Sequence, residues 1–222
     1  MHDSGSVLPE ALDTAEVLKL LLQKTAARHN HLCPRQVLGV RMGMLAGQLL
    51  ELRLPQAEKR LLTLVETDGC FADGVAVATG CEIGHRTLRL IDFGKVAATF
   101  IDTQTHHSIR IAPHNESRRR AERYNDGTLS NWRAYLNAYQ VMPDEELFTV
   151  ERVNVQFSID ALVSEPGYRV NCGQCGEEII NHREILIDGH PLCRACAGQA
   201  YYSLCQEEYG ELLSPIVLGS VT

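Results

Sequence analysis

Five of the eight cysteines in this 222-residue chain lie in its last third, and four of those form two pairs, Cys172-x-x-Cys175 and Cys193-x-x-Cys196, with seventeen residues between them. Zinc in structural sites takes four ligands in a tetrahedron, and thiolates are its usual choice. A two-residue spacer lets both sulfurs of a pair reach one ion, so two pairs make a closed site with no position left for a substrate. The pattern predicts a structural zinc ion that folds a module too small to have a core of its own. Between the pairs, Ile179 and Ile180, then Ile185 to Ile187, then Asp188-Gly189 have the pattern of a hairpin. A helix over 194–205 would carry the second pair, an arrangement like a treble-clef finger. Cys205 stands outside both pairs and reads as a buried helix thiol.

The other cysteines, Cys33, Cys70 and Cys81, lie far upstream, and Cys33 closes the run His29-Asn30-His31-Leu32-Cys33-Pro34. Two imidazoles one residue apart in a loop can turn to the same ion. Cys33, just before a proline, falls at a helix N-cap, where backbone N–H groups and the helix dipole favour a thiolate. Cys70 and Cys81 follow glycines, which allow close approach. The sharp reading is a core metal site drawn from His29, His31, Cys33, Cys70 and Cys81, with zinc the first choice and iron or nickel the alternatives. If only three bind, water or substrate could take the fourth position, and the site could do Lewis-acid chemistry. Asp68, Asp73 and Lys95 would then support the ligands or move protons, and with Cys33 they are the candidate catalytic residues. The plainer reading stands beside it. An isolated core cysteine is a small apolar residue, and Lys95 can simply pair with Asp92.

These residues need elements to hold them. Asp13 with Glu16 makes a capping-box start for an amphipathic helix over 13–28, and a second helix opens at Pro34 and runs to about Leu52. Gly39, Gly43 and Gly47 recur every fourth residue on that helix; a stripe of glycines suggests that another backbone packs there, within the same chain by default. Residues 60–67 read as a buried strand, 68–80 as a loop and a tightly packed helix, and 87–92, 97–102 and 108–112 as strands, the last two a hairpin. Residues 116–140 read as one helix and 147–157 as a strand. Strands and helices mix without regular βαβ alternation, which predicts an α+β core with a mixed or antiparallel sheet packed by helices. The domain boundary is expected at Glu165-Pro166-Gly167, giving a core of residues 1–165 and a zinc module of 166–222.

Hydrophobic residues are 45% and charged residues 22% of the chain, as in ordinary globular proteins. No apolar run is long enough to cross a membrane. The polar start Met1–Ser6 lacks a signal pattern, so a cytoplasmic location is expected, where thiols stay reduced and eight cysteines point to metal or catalysis. The net charge of −7 argues against nucleic acid as a partner. Only Arg183 and Arg194 lie between Cys172 and Cys196, which disfavours a zinc-finger regulator.

The upstream motifs resemble those of the FmdE-type proteins of formylmethanofuran dehydrogenase. The resemblance rests on His29-Asn30-His31-Leu32-Cys33-Pro34 with Leu38-Gly39-Val40-Arg41, on Glu66-Thr67-Asp68-Gly69-Cys70 with Asp73, on Thr79-Gly80-Cys81, and on Asp92-Phe93-Gly94-Lys95 followed by Ala98-Thr99-Phe100. The chain departs at Asn30 and Arg35, where the family tends to have glycine. The resemblance implies an α+β homodimer with a cleft near the His-x-His-x-Cys loop and, often, a C-terminal zinc finger. It implies a metal-binding accessory of molybdenum or tungsten enzymes of the formylmethanofuran or formate dehydrogenase type, whose subunits would be the partners. It implies no known reaction, and a free-standing metal-dependent enzyme is the alternative.

Overall fold

The computed structural model describes residues 13–125, 127–159 and 167–203. Cys205 and the expected boundary after residue 165 lie outside the described residues. The chain divides into two compact units, Met1–Ile159 and Asp160–Thr222.

In the first unit, α1 (Thr14–His29) opens with the expected capping box, Asp13 accepting from the Glu16 N–H and Glu16 accepting from the Asp13 N–H. Asn30, left-handed at φ 59°, ends it. The second helix, α2 (Pro34–Leu49), has Cys33 at its N-cap. Then come β1 (Leu61–Val65), α3 (Cys70–Thr79), β2 (Leu88–Leu90), β3 (Ala98–Asp102) and β4 (Ser108–Pro113). The helix expected over 116–140 is broken into α4 (Ser117–Ala121), one 3-10 turn (Glu122–Tyr124) and α5 (Asn131–Val141). The break has a backbone cause: Asn125 is extended and Gly127 sits at φ 82°. A short α6 (Asp144–Leu147) precedes β5 (Phe148–Arg152), which stops short of the expected Phe157.

The five strands form one mixed sheet in the order β2-β1-β3-β4-β5. β1 pairs in parallel with β2, Thr63 opposite Leu88, and antiparallel with β3, Leu61 opposite Asp102. The β3–β4 hairpin forms as expected, and β5 adds to β4. Parallel neighbours need a crossover, and α3 supplies it. One face of the sheet (Leu61, Val65, Phe100, Ile109, Ile111) joins Val37, Val40 and Leu45 of α2 and Phe71 and Val75 of α3 in one apolar core.

The glycine stripe is used inside the chain. A Cβ on Gly39 would lie 2.3 Å from the Phe71 carbonyl oxygen, and one on Gly74 would lie 2.5 Å from the Gln36 carbonyl oxygen. The backbones of α2 and α3 thus touch at reciprocal glycines. That contact brings the starts of the two helices together.

In the second unit, β6 (Arg169–Asn171) pairs with β7 (Glu178–Ile180), and β8 (Ile185–Ile187) pairs with β9 (His190–Leu192). Asp188 and Gly189, both at positive φ, make the β8–β9 turn, as two-residue hairpins require. Ile179 and Ile180, however, pair with a strand upstream of Cys172 and not with residues 185–187. The helical turn at Ala195–Gln199 is shorter than expected because Gly198 at φ 87° interrupts it.

Candidate functional site

The β6–β7 turn carries Cys172 and Cys175, and the chain leaving β9 carries Cys193 and Cys196. The four sulfurs all lie within 4.8 Å of one another, the one such group of three or more metal-ligating residues among the described residues. Local backbone builds the geometry. The Cys193 N–H donates to the Cys172 sulfur at 3.3 Å, and the Cys196 N–H donates to the Cys193 sulfur at 3.4 Å. Gly173 N–H holds the first turn to Pro191 O at 2.8 Å. Backbone N–H groups, that of Cys175 first, pull the Cys172 thiol down to about 6. Cys196 is pushed up to about 12, chiefly by its hydrogen bond with the Cys193 sulfur. Four soft donors crowded this closely, one of them ready to ionise, fit a tetrahedral thiophilic cation.

In the first unit the loop between α1 and α2 and the start of α3 converge. His29, the last residue of α1, places Nε2 2.5 Å from Asp73 of α3, and Arg28 lies 3.7 Å from the same carboxylate. The His31 ring bonds through Nδ1 to the His29 carbonyl at 2.8 Å. A carbonyl only accepts, so in the neutral ring Nδ1 carries the proton and Nε2 keeps its lone pair for a ligand. The two rings stand edge to face, 6.1 Å apart. Cys33 is buried at the N-cap of α2, and Cys70 opens α3. The two thiols share a hydrogen bond; burial first, and this bond second, push Cys70 above its ordinary value.

Gln36 holds this loop. It is fully buried, accepts from the Cys33 N–H at 2.7 Å and donates to the Thr25 carbonyl at 2.9 Å, which ties α2 to α1. Sequence reasoning passed over it. The signal was its place, three residues after an N-cap, where a capping box sets Glu or Gln.

The remaining expected residues divide. Cys81 is buried, accepts from Thr63 Oγ1 at 3.3 Å and donates to Leu61 O, so its partners lie on β1 and none belongs to the His29–Asp73 group. Burial pushes its thiol up. Lys95 lies 5.9 Å from the centre of the Phe93 ring, and Asp92 accepts from the Gly94 N–H. Asp68 is exposed and, among the described residues, makes no ion pair or side-chain hydrogen bond. With Asp73 and Arg28 it lines a cavity of about 420 Å³ between β1, α3 and β2.

Comparison with known proteins fits this architecture. The family described as FmdE, Molybdenum formylmethanofuran dehydrogenase operon, matches residues 28–149. A protein of Archaeoglobus fulgidus, named "Probable S-adenosyl-L-methionine-binding protein", is 30% identical over 213 residues; the match covers 86% of this chain but 56% of that protein, so the chain spans little more than half of its relative. A crystal structure of an FmdE-like protein of tungsten formylmethanofuran dehydrogenase, from Syntrophus aciditrophicus, shares the fold, with a TM-score of 0.51 and 20% identity over 84% of this chain and 95% of that one.

Proposed function

The chain belongs to the FmdE family, and from that premise we propose that it is a metal-binding accessory of formylmethanofuran or formate dehydrogenase-type molybdenum or tungsten metabolism. In this reading it works as a cytoplasmic homodimer, with a core of residues 1–165 and a treble-clef zinc module of 166–222. The tetrad of Cys172, Cys175, Cys193 and Cys196 holds zinc and has a structural task. A second ion, zinc first, takes donors from His29, His31, Cys33 and Cys70. Cys81, whose thiol is already engaged with Thr63 and Leu61, stays in the core.

The observation that carries the second ion is the meeting of Cys33 and Cys70 beside two imidazoles, from elements far apart in the chain. Asp73 orients His29, and the His29 carbonyl orients His31, as outer partners of metal ligands do. Bound there, the ion would supply Lewis acidity; the protein's part is to aim the rings and to keep Cys33 out of water. Metal analysis of protein purified without oxygen tests this. About two ions per chain are expected, falling to about one in Cys33→Ala. Two ions retained in Cys33→Ala would sink the core site while leaving the tetrad.

A second reading, S-adenosyl-L-methionine binding, comes from the name of the Archaeoglobus fulgidus relative. The 420 Å³ cavity favours it by size. Equilibrium dialysis with that compound decides it, and no retention would remove it.

A further inference from the structure

The cavity beside α3 has a chemistry that a metal site leaves unused. We propose that it binds a small cationic amphiphile, a molecule with an amine or onium head on an apolar body. β1, α3 and β2 form the one parallel strand–helix–strand unit among the described residues. In open sheets of that kind, ligands sit beyond the carboxyl ends of the strands, and here the cavity begins where β1 ends, at Val65, Asp68 and Gly69.

The wall is apolar: Val65, Leu88, and Ala72 with Ala76, one turn apart on α3. The two alanines leave the room that larger side chains would fill. At the mouth, Ile83 is 74% exposed and Leu90 45%, apolar surface next to a cavity of ligand size.

Charge selects the head group. Three carboxylates, Asp68, Asp73 and Glu82, face the cavity against one guanidinium, Arg28. Asp73 is committed to His29 and Arg28, and Glu82 lies 3.6 Å from His85. Asp68 has no such partner among the described residues. Against a low-dielectric wall its carboxylate attracts a cation more strongly than it would in open water. The N-terminus of α3 would favour an anion, but Asp68 just before it and Asp73 in its first turn already take up that field. The larger hollow of the unit, about 620 Å³ near α4, shows the contrast. Its arginines are paired: Arg119 with Glu116, Arg123 with Glu146, and Arg120 with the Glu146 carbonyl. Among its lining residues no unmatched charge is left to choose a ligand.

The inference goes beyond the metal reading and shares only the cavity with the adenosyl reading. Titration of the zinc-loaded, ¹⁵N-labelled full chain with hexan-1-amine, hexan-1-ol and hexanoate tests it. The amine should shift the amides of Gly69, Ala72 and Gly84 in a saturable way. The alcohol should bind roughly tenfold more weakly, and hexanoate should not saturate. Asp68→Asn, at an exposed position, should weaken the amine by roughly five- to tenfold and leave the alcohol unchanged. Ala72→Leu should abolish both. Equal binding of the three probes, indifference of the amine to Asp68→Asn, or no shift at those amides up to tens of millimolar would overturn the inference. Cys33→Ala should lose metal yet keep the amine titration, so the two readings fail separately.

Discussion

The C-terminal tetrad and the His29–Cys33 group both collect nitrogen or sulfur donors, but they assemble them by different routes. The tetrad draws four sulfurs from 25 consecutive residues, held by turns that belong to the same short hairpins. The core group draws on the end of α1, the start of α2 and the start of α3, and it exists because two glycine-bearing helices lie against each other. The first is a site that makes its own fold. The second is a site that a fold makes. Its donors are also mixed and include Asp73, a carboxylate that holds a ring, whereas the tetrad is sulfur throughout.

The largest test of this contrast is removal of the tetrad's ion. Chelation, or Cys172→Ser, should unfold residues 167–203, a loss on the order of 10 kcal/mol of metal-linked folding energy. Amide dispersion from residues 14–152 should survive, since their core is independent of any ion. Loss of both units together would break the contrast.

A smaller effect should come from Gly39→Ala. Alanine is the better helix former, but its Cβ would meet the Phe71 carbonyl oxygen at 2.3 Å, so α2 and α3 must part. The expected cost is about 2 kcal/mol by denaturant unfolding, with the Cys33–Cys70 contact loosened and core metal reduced while tetrad metal stays. A stabilised variant with full metal would show that the helix contact does not position the site.

The smallest expected effect lies away from both groups. Asp102, 2% exposed at the end of β3, is bonded by Arg60 at 3.0 and 3.3 Å. Burial alone would raise its carboxyl, but the Arg60 hydrogen bonds, with others from Gln104 and Thr105, hold it below the ordinary range. A depressed folded value means that the stabilisation is present above the unfolded value of about 4 and is lost as pH falls through the lower, folded one. Asp102→Asn should therefore flatten the acid limb of unfolding free energy against pH for the first unit. An unchanged acid limb would mean that the ion pair adds nothing there.

Legibility in the sequence followed the range of the forces involved. The capping box of α1, Pro34 at the head of α2, the β3–β4 hairpin and the two CxxC turns all depend on residues within a few positions of one another, and each appears where expected. The misjudged places were those where backbone conformation or distant pairing decides. Asn125 and Gly127 break a helix whose composition looked continuous. Ile179 and Ile180 choose a partner upstream of the first cysteine pair. Gln36 looked like any helix residue until burial made it the link between two helices.

The sequence by itself determined the donor types, the closed tetrad and the α+β class, because two-residue spacers, caps and hydrophobic periodicity act locally. Only the tertiary structure decided that Cys33 meets Cys70 while Cys81 turns to β1, that Asp73 holds His29, and that Asp68 faces a cavity. Those outcomes depend on how closely α2 and α3 approach and on the parallel pairing of β1 with β2, contacts between segments far apart in the chain that no local pattern encodes.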